Sequence, residues 1–256
     1  MGLTIKAEGA NFESNPVSFI PPVREGLLYW GFTNDSLEKL GKNFAPNGSP
    51  VAVVGEPAVD GKGAILGDDK YVNTGIIQTP SLTIIAVGHP MTDGSEIGMF
   101  VSNFSGNRPG GKGGKSFGVS LYCGFNDVNP GVFEVRASVA RFSGESGSGS
   151  GLNYVLIPNL DITKPAFLAM TFDGNEKVVR AYELSTGFSG QRPPIADVTD
   201  MATTPLYIGD CPDATWVNNP RKIYFTAIYN RKLSEPELDT IYKRIKAYLA
   251  TRGVII

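Results

Sequence analysis

Short runs of apolar and β-branched residues, broken by Gly, Pro, Asn and Asp, set the pattern of the chain from Gly26 onward. Runs of that kind, bounded by turn-forming residues, read as β-strands. Residues 27–32, 51–54 and 64–66 open the series, and Tyr71-Val72 follows a predicted hairpin tip at Gly67-Asp68-Asp69. Residues 82–89 are rich in β-branched side chains and predict a strong strand. Further strands are predicted over 97–104, 117–125, 132–142, 153–157, 166–172, 177–184, 206–209 and 223–229, with Asp173-Gly174-Asn175 as a hairpin signal. Asn34-Asp35-Ser36 can cap a short helix that ends at Leu40, where Gly41 stops it. Ten or more strands without alternating long helices predict two packed antiparallel sheets rather than a βαβ fold.

A helical period replaces this pattern near the C-terminus. Leu238, Ile241, Tyr242, Ile245 and Leu249 recur at spacings of three and four, which predicts a helix over about 235–250 with one apolar stripe. Ser234 and Glu237 have capping-box spacing, Pro236 sits in the first turn, and Gly253 can end the helix. A single helix cannot bury its own stripe, so it is expected to dock on the sandwich. Residues 1–25, with Pro16, Pro21 and Pro22, read as an extended N-terminal arm, and 26–256 as one domain that includes the helix. Two glycine-rich segments, 105–116 and 143–151, lie between strand-like runs and read as hairpin loops.

Composition narrows the chemistry. The 256 residues include 31 Gly and 18 Pro, above the roughly 12% share usual for the two together, which suits a turn-rich fold. With 23 basic and 25 acidic side chains the net charge is -2, so there is no electrostatic case for nucleic acid or an anionic membrane. His89 is the single histidine; it excludes multi-histidine metal sites and, at a strand end before Pro90, reads as structural. Cys123 and Cys211 are too few for a four-thiolate zinc site or a disulfide scaffold, and read as buried thiols. No run approaches the roughly 18 apolar residues of a membrane span. The start Met-Gly-Leu-Thr-Ile-Lys lacks the apolar core of a secretory signal, which predicts a soluble product made in a cytoplasm.

Four segments, in order, carry a resemblance. They are Gly-Leu-Leu-Tyr-Trp-Gly-Phe from Gly26, the passage from Tyr71-Val72-Asn73-Thr74-Gly75 into Ser81-Leu82-Thr83-Ile84-Ile85-Ala86-Val87, Ala169-Met170-Thr171-Phe172-Asp173-Gly174, and Leu206-Tyr207-Ile208-Gly209 followed by residues 223–237. Residues 26–250 resemble a laminin G-like domain of the concanavalin A-like lectin/glucanase superfamily. The resemblance implies an all-β, two-sheet antiparallel jelly-roll sandwich of concanavalin A-like type with one C-terminal α-helix. The unprocessed N-terminus and glycine-rich loops also resemble virion proteins of tailed phages and prophages.

The chemistry that the resemblance brings to mind is mostly missing. Retaining glucanases of the superfamily carry Glu-x-Asp-x-Glu or Glu-x-Asp-x-x-Glu on one strand, and no such spacing occurs; Glu134 and Glu183 each stand alone in a predicted strand. Gly110 to Ser116 resembles a phosphate loop, but Pro109 occupies the first glycine position and Phe117-Gly118-Val119-Ser120-Leu121 reads as a strand where a helix is required. Many laminin G-like domains bind Ca2+ at the sandwich rim. Asp210 and Asp213, with Asn218 and Asn219, are candidate ligands, as separately are Asp68 and Asp69. For carbohydrate, aromatic faces beside planar amides are the useful elements. Trp216 with Asn218 and Asn219 is the first candidate set, and Tyr122 with Asn126 the second; Trp30 reads as core.

The function expected from these features is a non-enzymatic carbohydrate-binding, adhesive module of a phage virion, a tail fibre or related component that recognises a host surface glycan. Its partners would be that glycan, other virion proteins through the N-terminal arm, and copies of itself in an oligomer. A structural virion decoration or connector without a glycan ligand stands as the alternative, and a polysaccharide-active enzyme with an atypical site as the third reading.

Overall fold

In the computed structural model, residues 20–67, 69–90, 97–104, 106–107, 115–125, 133–142, 150–195, 198–213 and 219–256 are described. The strands are β1 Leu27–Phe32, β2 Ala52–Val54, β3 Ala64–Leu66, β4 Tyr71–Asn73, β5 Leu82–Gly88, β6 Gly98–Ser102, β7 Gly106–Asn107, β8 Lys115–Ser116 and β9 Val119–Phe125. They continue as β10 Phe133–Phe142, β11 Ser150–Pro158, β12 Ala166–Asp173, β13 Val178–Glu183, β14 Phe188–Gln191, β15 Val198–Thr199, β16 Tyr207–Ile208 and β17 Arg221–Tyr229. Helix α1 is Leu37–Leu40 and helix α2 is Glu235–Thr251.

Two antiparallel sheets form the sandwich. The first runs β1–β17–β5–β12–β13–β14, with β3 continuing along the edge of β17 beyond β1. Thr33 makes that junction: its amide donates to the Tyr224 carbonyl, and its hydroxyl donates to the Ile223 carbonyl and accepts from the Ala64 amide. The second sheet runs β11–β10–β9–β6–β16–β4–β2, with β15 beside β10.

The first sheet is covered on both faces. Leu82, Ile84, Ala86, Leu168, Met170 and Phe172 point into the inter-sheet core, while Ile85, Val87, Phe167, Ala169, Phe225 and Ala227 pack on the opposite side with Leu238, Ile241, Ile245 and Leu249 of α2. Strands buried on both faces read as unbroken apolar runs rather than alternating ones, which is why β5, β12 and β17 stood out in the sequence. Each of the four helix side chains contributes about 1.5–3 kcal/mol by leaving water. The helix begins where predicted: Glu237 accepts from the Ser234 amide at 2.8 Å and from the Arg231 guanidinium at 2.6 Å. It ends at Thr251, with Gly253 at φ +70°. Ser36 caps α1 by accepting from the Lys39 amide.

Residues 1–19 of the expected arm lie outside the described residues. Nearer the sandwich the chain is fastened: Tyr229 donates to the Val23 carbonyl at 3.1 Å and Arg231 to the Glu25 carbonyl at 2.9 Å. Strand β14 and the two-residue strands β7, β8 and β15 were not anticipated, because segments such as Phe-Ser-Gly-Gln carry no apolar run.

Candidate functional site

Alternation divides the side chains of the second sheet, except at an irregularity in β6 where Phe100 and Val101 both enter the core. Val72, Val101, Val119, Leu121, Cys123, Val135, Ala137, Val139, Val155, Ile157 and Ile208 enter the inter-sheet core. Their neighbours in sequence point the other way, so the outer face carries Tyr71, Asn73, Ser102, Ser120, Tyr122, Arg136, Ser138, Tyr154 and Tyr207. The register aligns one complete row across seven strands: Tyr154, Ser138, Ser120, Ser102, Tyr207, Asn73 and Ala52. Three serines thus lie between two tyrosines. The Ser102 and Ser120 hydroxyls bond each other at 2.7 Å, and the row is buried at its centre.

On the β11 side, cations and rings interleave. The Arg136 guanidinium lies 6.0 Å from the Tyr122 ring and 5.7 Å from that of Tyr154, and the Arg192 guanidinium lies 5.1 Å from the Tyr154 ring. The Glu134 carboxylate, 1% exposed, pairs with Arg136 at 2.6 Å. Such an edge presents both an apolar ring face and guanidinium donors. Burial pushes the Tyr122 hydroxyl pKa up, opposed by the charge and hydrogen bond of Arg136.

On the β4 side, the Tyr71 and Tyr207 rings stack at 4.6 Å and 19°. Burial, reinforced by Tyr207, Asp210 and Asp69, raises the Tyr71 pKa. Asp210 therefore lies beside a stacked ring pair, with its carboxylate accepting from the Cys211 amide at 2.7 Å. Between the two sides, Met99, Tyr122 and Cys211 pack together with Ile97 and Phe104 against them.

The expected site residues separate into two groups. Trp216, Asn218 and Asn126 lie outside the described residues. Tyr122, Asp210 and Asn219 converge on this end of the sheet: the Asn219 backbone N–H donates to the Ile97 carbonyl at 3.2 Å, and its backbone carbonyl accepts from Arg221 at 3.1 Å. Tyr122 is only 8% exposed, so it supplies a covered ring rather than an open platform. Asp213 is half-buried, and its carbonyl faces the Cys211 thiol at 3.9 Å. Among the described residues no three His, Cys, Asp or Glu side chains gather as a metal set. Asp69 is exposed, and Asp68 is outside the described residues. The sequence reading missed Tyr154, Arg136, Tyr71 and Tyr207. Alternation in β9, β10 and β11 placed the first two on the face of Tyr122, but the pairing register that joins them was not legible.

The other sequence features resolve simply. Glu134 and Glu183 belong to different sheets, and Glu183 is occupied by its own turn, accepting from the Ser185 and Thr186 amides at 3.0 and 2.8 Å. His89 is half-buried, its pKa lowered by burial, with its ring 5.8 Å from Tyr224. Lys115-Ser116 is a short strand followed by β9, the strand expected where a phosphate loop requires a helix. Cys123 and Cys211 are free and buried, and Trp30 is fully buried, as expected.

No family model and no curated protein matches the chain. Among solved structures it is similar to Trypanosoma rangeli sialidase in complex with sialic acid, at 12% identity and a TM-score of 0.56, covering 85% of this chain and 32% of that one. It is also similar to the botulinum neurotoxin serotype D binding domain, at 10% identity and a TM-score of 0.56, covering 87% of this chain and 52% of that one. The binding domain of botulinum neurotoxin DC in complex with SialylT gives 11%, 0.54, 86% and 52%. The chain spans about a third to a half of these structures. At such identities the likeness is one of fold alone: the chain is a β-sandwich of two antiparallel sheets.

Proposed function

We propose that the protein is a non-enzymatic carbohydrate-binding module of laminin G-like type, working on a phage virion as a tail-fibre or related component that recognises a host surface glycan. The observation that carries this reading is the outer face of the second sheet, where Tyr154, between Arg136 and Arg192, and the Tyr71–Tyr207 stack flank a serine row. A pyranose stacks its C–H face on an aromatic ring while guanidinium, hydroxyl and amide groups fix its hydroxyls. Trp216 and Asn218, which lie outside the described residues, and Asn219 are kept as further candidate sugar contacts, and Asp210 and Asp213 as candidate Ca2+ ligands. The solved complex of the neurotoxin DC binding domain with SialylT supports a glycan partner for this architecture. Binding is weak per site and is strengthened by copies on one particle through effective concentration. The N-terminal arm, residues 1–25, joins other virion proteins.

Replacing Tyr154 or Trp216 by Ala tests the site. Both variants are expected to stay folded and to lose about tenfold or more in glycan affinity, since a stacked ring contributes on the order of 1–2 kcal/mol. Unchanged affinity in both variants removes this face from the account. The buried centre of the serine row favours, as a second reading, a closed structural connector. That reading predicts no glycan binding, together with loss of particle incorporation when residues 1–25 are deleted.

A further inference from the structure

The first sheet has a step in its outer face. Helix α2 covers β17, β5 and β12, and its Tyr242 reaches Phe167 at 5.2 Å. The edge pair β13–β14 continues past the helix. There Arg180 stands opposite Gln191 and Tyr182 opposite Ser189, with Ser189 and Gln191 exposed. Glu235, in the first turn of α2, overhangs this edge. The result is a groove of about 220 Å³ lined by Arg180, Tyr182, Ser189, Gly190, Gln191 and Glu235.

The polar groups of the groove are arranged rather than merely present. Arg180 donates through Nη1 to Glu176 at 2.8 Å and through Nε to the Gln191 side-chain oxygen at 3.1 Å. Those two bonds fix the guanidinium plane, leave Nη2 as a donor, and turn the Gln191 amide nitrogen outward as a second donor. Glu176 is itself held by Lys232. The Glu235 carboxylate and the Ser189 hydroxyl have no hydrogen-bond partner among the described residues. Tyr182 is 4% exposed and supplies an aromatic floor.

Charge and size select the ligand class. Arg180 and Lys232 balance Glu176 and Glu235, so the groove has no net charge that an ionic ligand would neutralise. Donors on one side and a carboxylate acceptor on the other match adjacent hydroxyls, each of which both accepts and donates. The volume falls below the roughly 300–1,000 Å³ of drug-sized sites and suits one ring rather than an oligosaccharide. We infer that the β13–β14 groove is a second carbohydrate subsite, which takes a single neutral sugar ring on the opposite sheet from the tyrosine face. This inference shares its ligand class with the function proposed above but not its residues.

The test is an amide-resolved NMR titration of the full chain with neutral methyl glycosides of glucose, galactose, mannose and N-acetylglucosamine. At least one is expected to shift the amides of Ser189, Gly190, Gln191 and Glu235. Gln191→Ala and Glu235→Gln, both at exposed positions, are each expected to weaken that binding about tenfold with no change in unfolding midpoint. Tyr154→Ala is expected to leave it intact. Absence of shifts at the groove with all four sugars, or shifts insensitive to both groove variants, overturns the inference. Shifts confined to the tyrosine face overturn it too while upholding the glycan reading. Groove shifts with a silent tyrosine face uphold it and count against the proposed site.

Discussion

The Arg221 guanidinium occupies the space that a side chain at position 98 would need: a Cβ built on Gly98 would fall 0.9 Å from Nη2. Arg221 is fully buried and reaches three places from β17, donating to the Pro90 carbonyl at 3.1 Å, the Cys123 sulfur at 2.6 Å and the Asn219 carbonyl at 3.1 Å. Its plane lies 5.2 Å from the Phe100 ring. One cation therefore ties the end of β5, the inner face of β9 and the segment entering β17 into a single rim.

Gly98→Ala displaces that guanidinium. The expected cost is about 2–3 kcal/mol, typical of overpacking in a closed interior. Arg221→Met, which removes the buried donor to the Pro90 carbonyl, the Cys123 sulfur and the Asn219 carbonyl, is expected to cost a similar amount. Urea unfolding curves of both variants check this, and midpoints matching the unmodified protein would show that the rim does not depend on Arg221.

Acid is expected to weaken the start of helix α2. The hydrogen bond and charge of Arg231, together with the Ser234 bonds, hold the Glu237 carboxyl down at about 2, from an ordinary value of 4.5. Because the folded-state value is depressed, this stabilisation is complete above pH 4.5 and disappears as pH falls towards 2. Allowing for solvent screening of a partly exposed pair, it amounts to about 1–1.5 kcal/mol. Glu237→Gln should lose that amount at pH 7 and show a flatter stability profile between pH 4.5 and 2; parallel profiles would remove the Arg231–Glu237 pair from the account.

The thiols offer a direct probe of burial. Cys123 is buried in the inter-sheet core, and burial pushes its pKa up despite the neighbouring Arg221. Cys211 is also buried. Neither is expected to react with an aromatic disulfide reagent at pH 7 until the chain is unfolded in denaturant, when two equivalents should react. Rapid labelling of the native protein would contradict the packing described.

Trp30 tests how the helix is seated. Its ring is fully buried and meets Phe225 at 4.6 Å and 68° on the helix-covered face of the first sheet. Trp30→Ala is expected to cost about 3–5 kcal/mol, read by thermal unfolding followed at a helical wavelength. A loss below about 1 kcal/mol would show that this face contributes little to stability.

What the sequence made legible follows from period. Strands β5, β12 and β17 and helix α2 are long and strongly patterned, so the sandwich and its docked helix were readable from residues 82–89, 166–172, 223–229 and about 235–250. The site was less readable. Tyr122, Asp210 and Asn219 were singled out and share one end of the second sheet, Tyr122 and Asn219 through Ile97 and Asp210 through the neighbouring Cys211. Tyr154 and Tyr207 face the same way only because β11 and β16 pair where they do, and pairing between distant segments leaves no local mark. The groove at β14 was invisible for the same reason, being made by a four-residue edge strand and a helix first turn from separate parts of the chain.

The proposal that this β-sandwich binds glycan is open to a direct test. The most direct measurement is binding of the full chain, displayed multivalently, to an array of bacterial surface polysaccharides in calcium and again after chelation. Saturable binding to at least one polysaccharide is expected, weakened by Tyr154→Ala and stronger with calcium. Absence of binding across the array, with a folded and multivalent sample, would contradict it and leave the connector reading in its place.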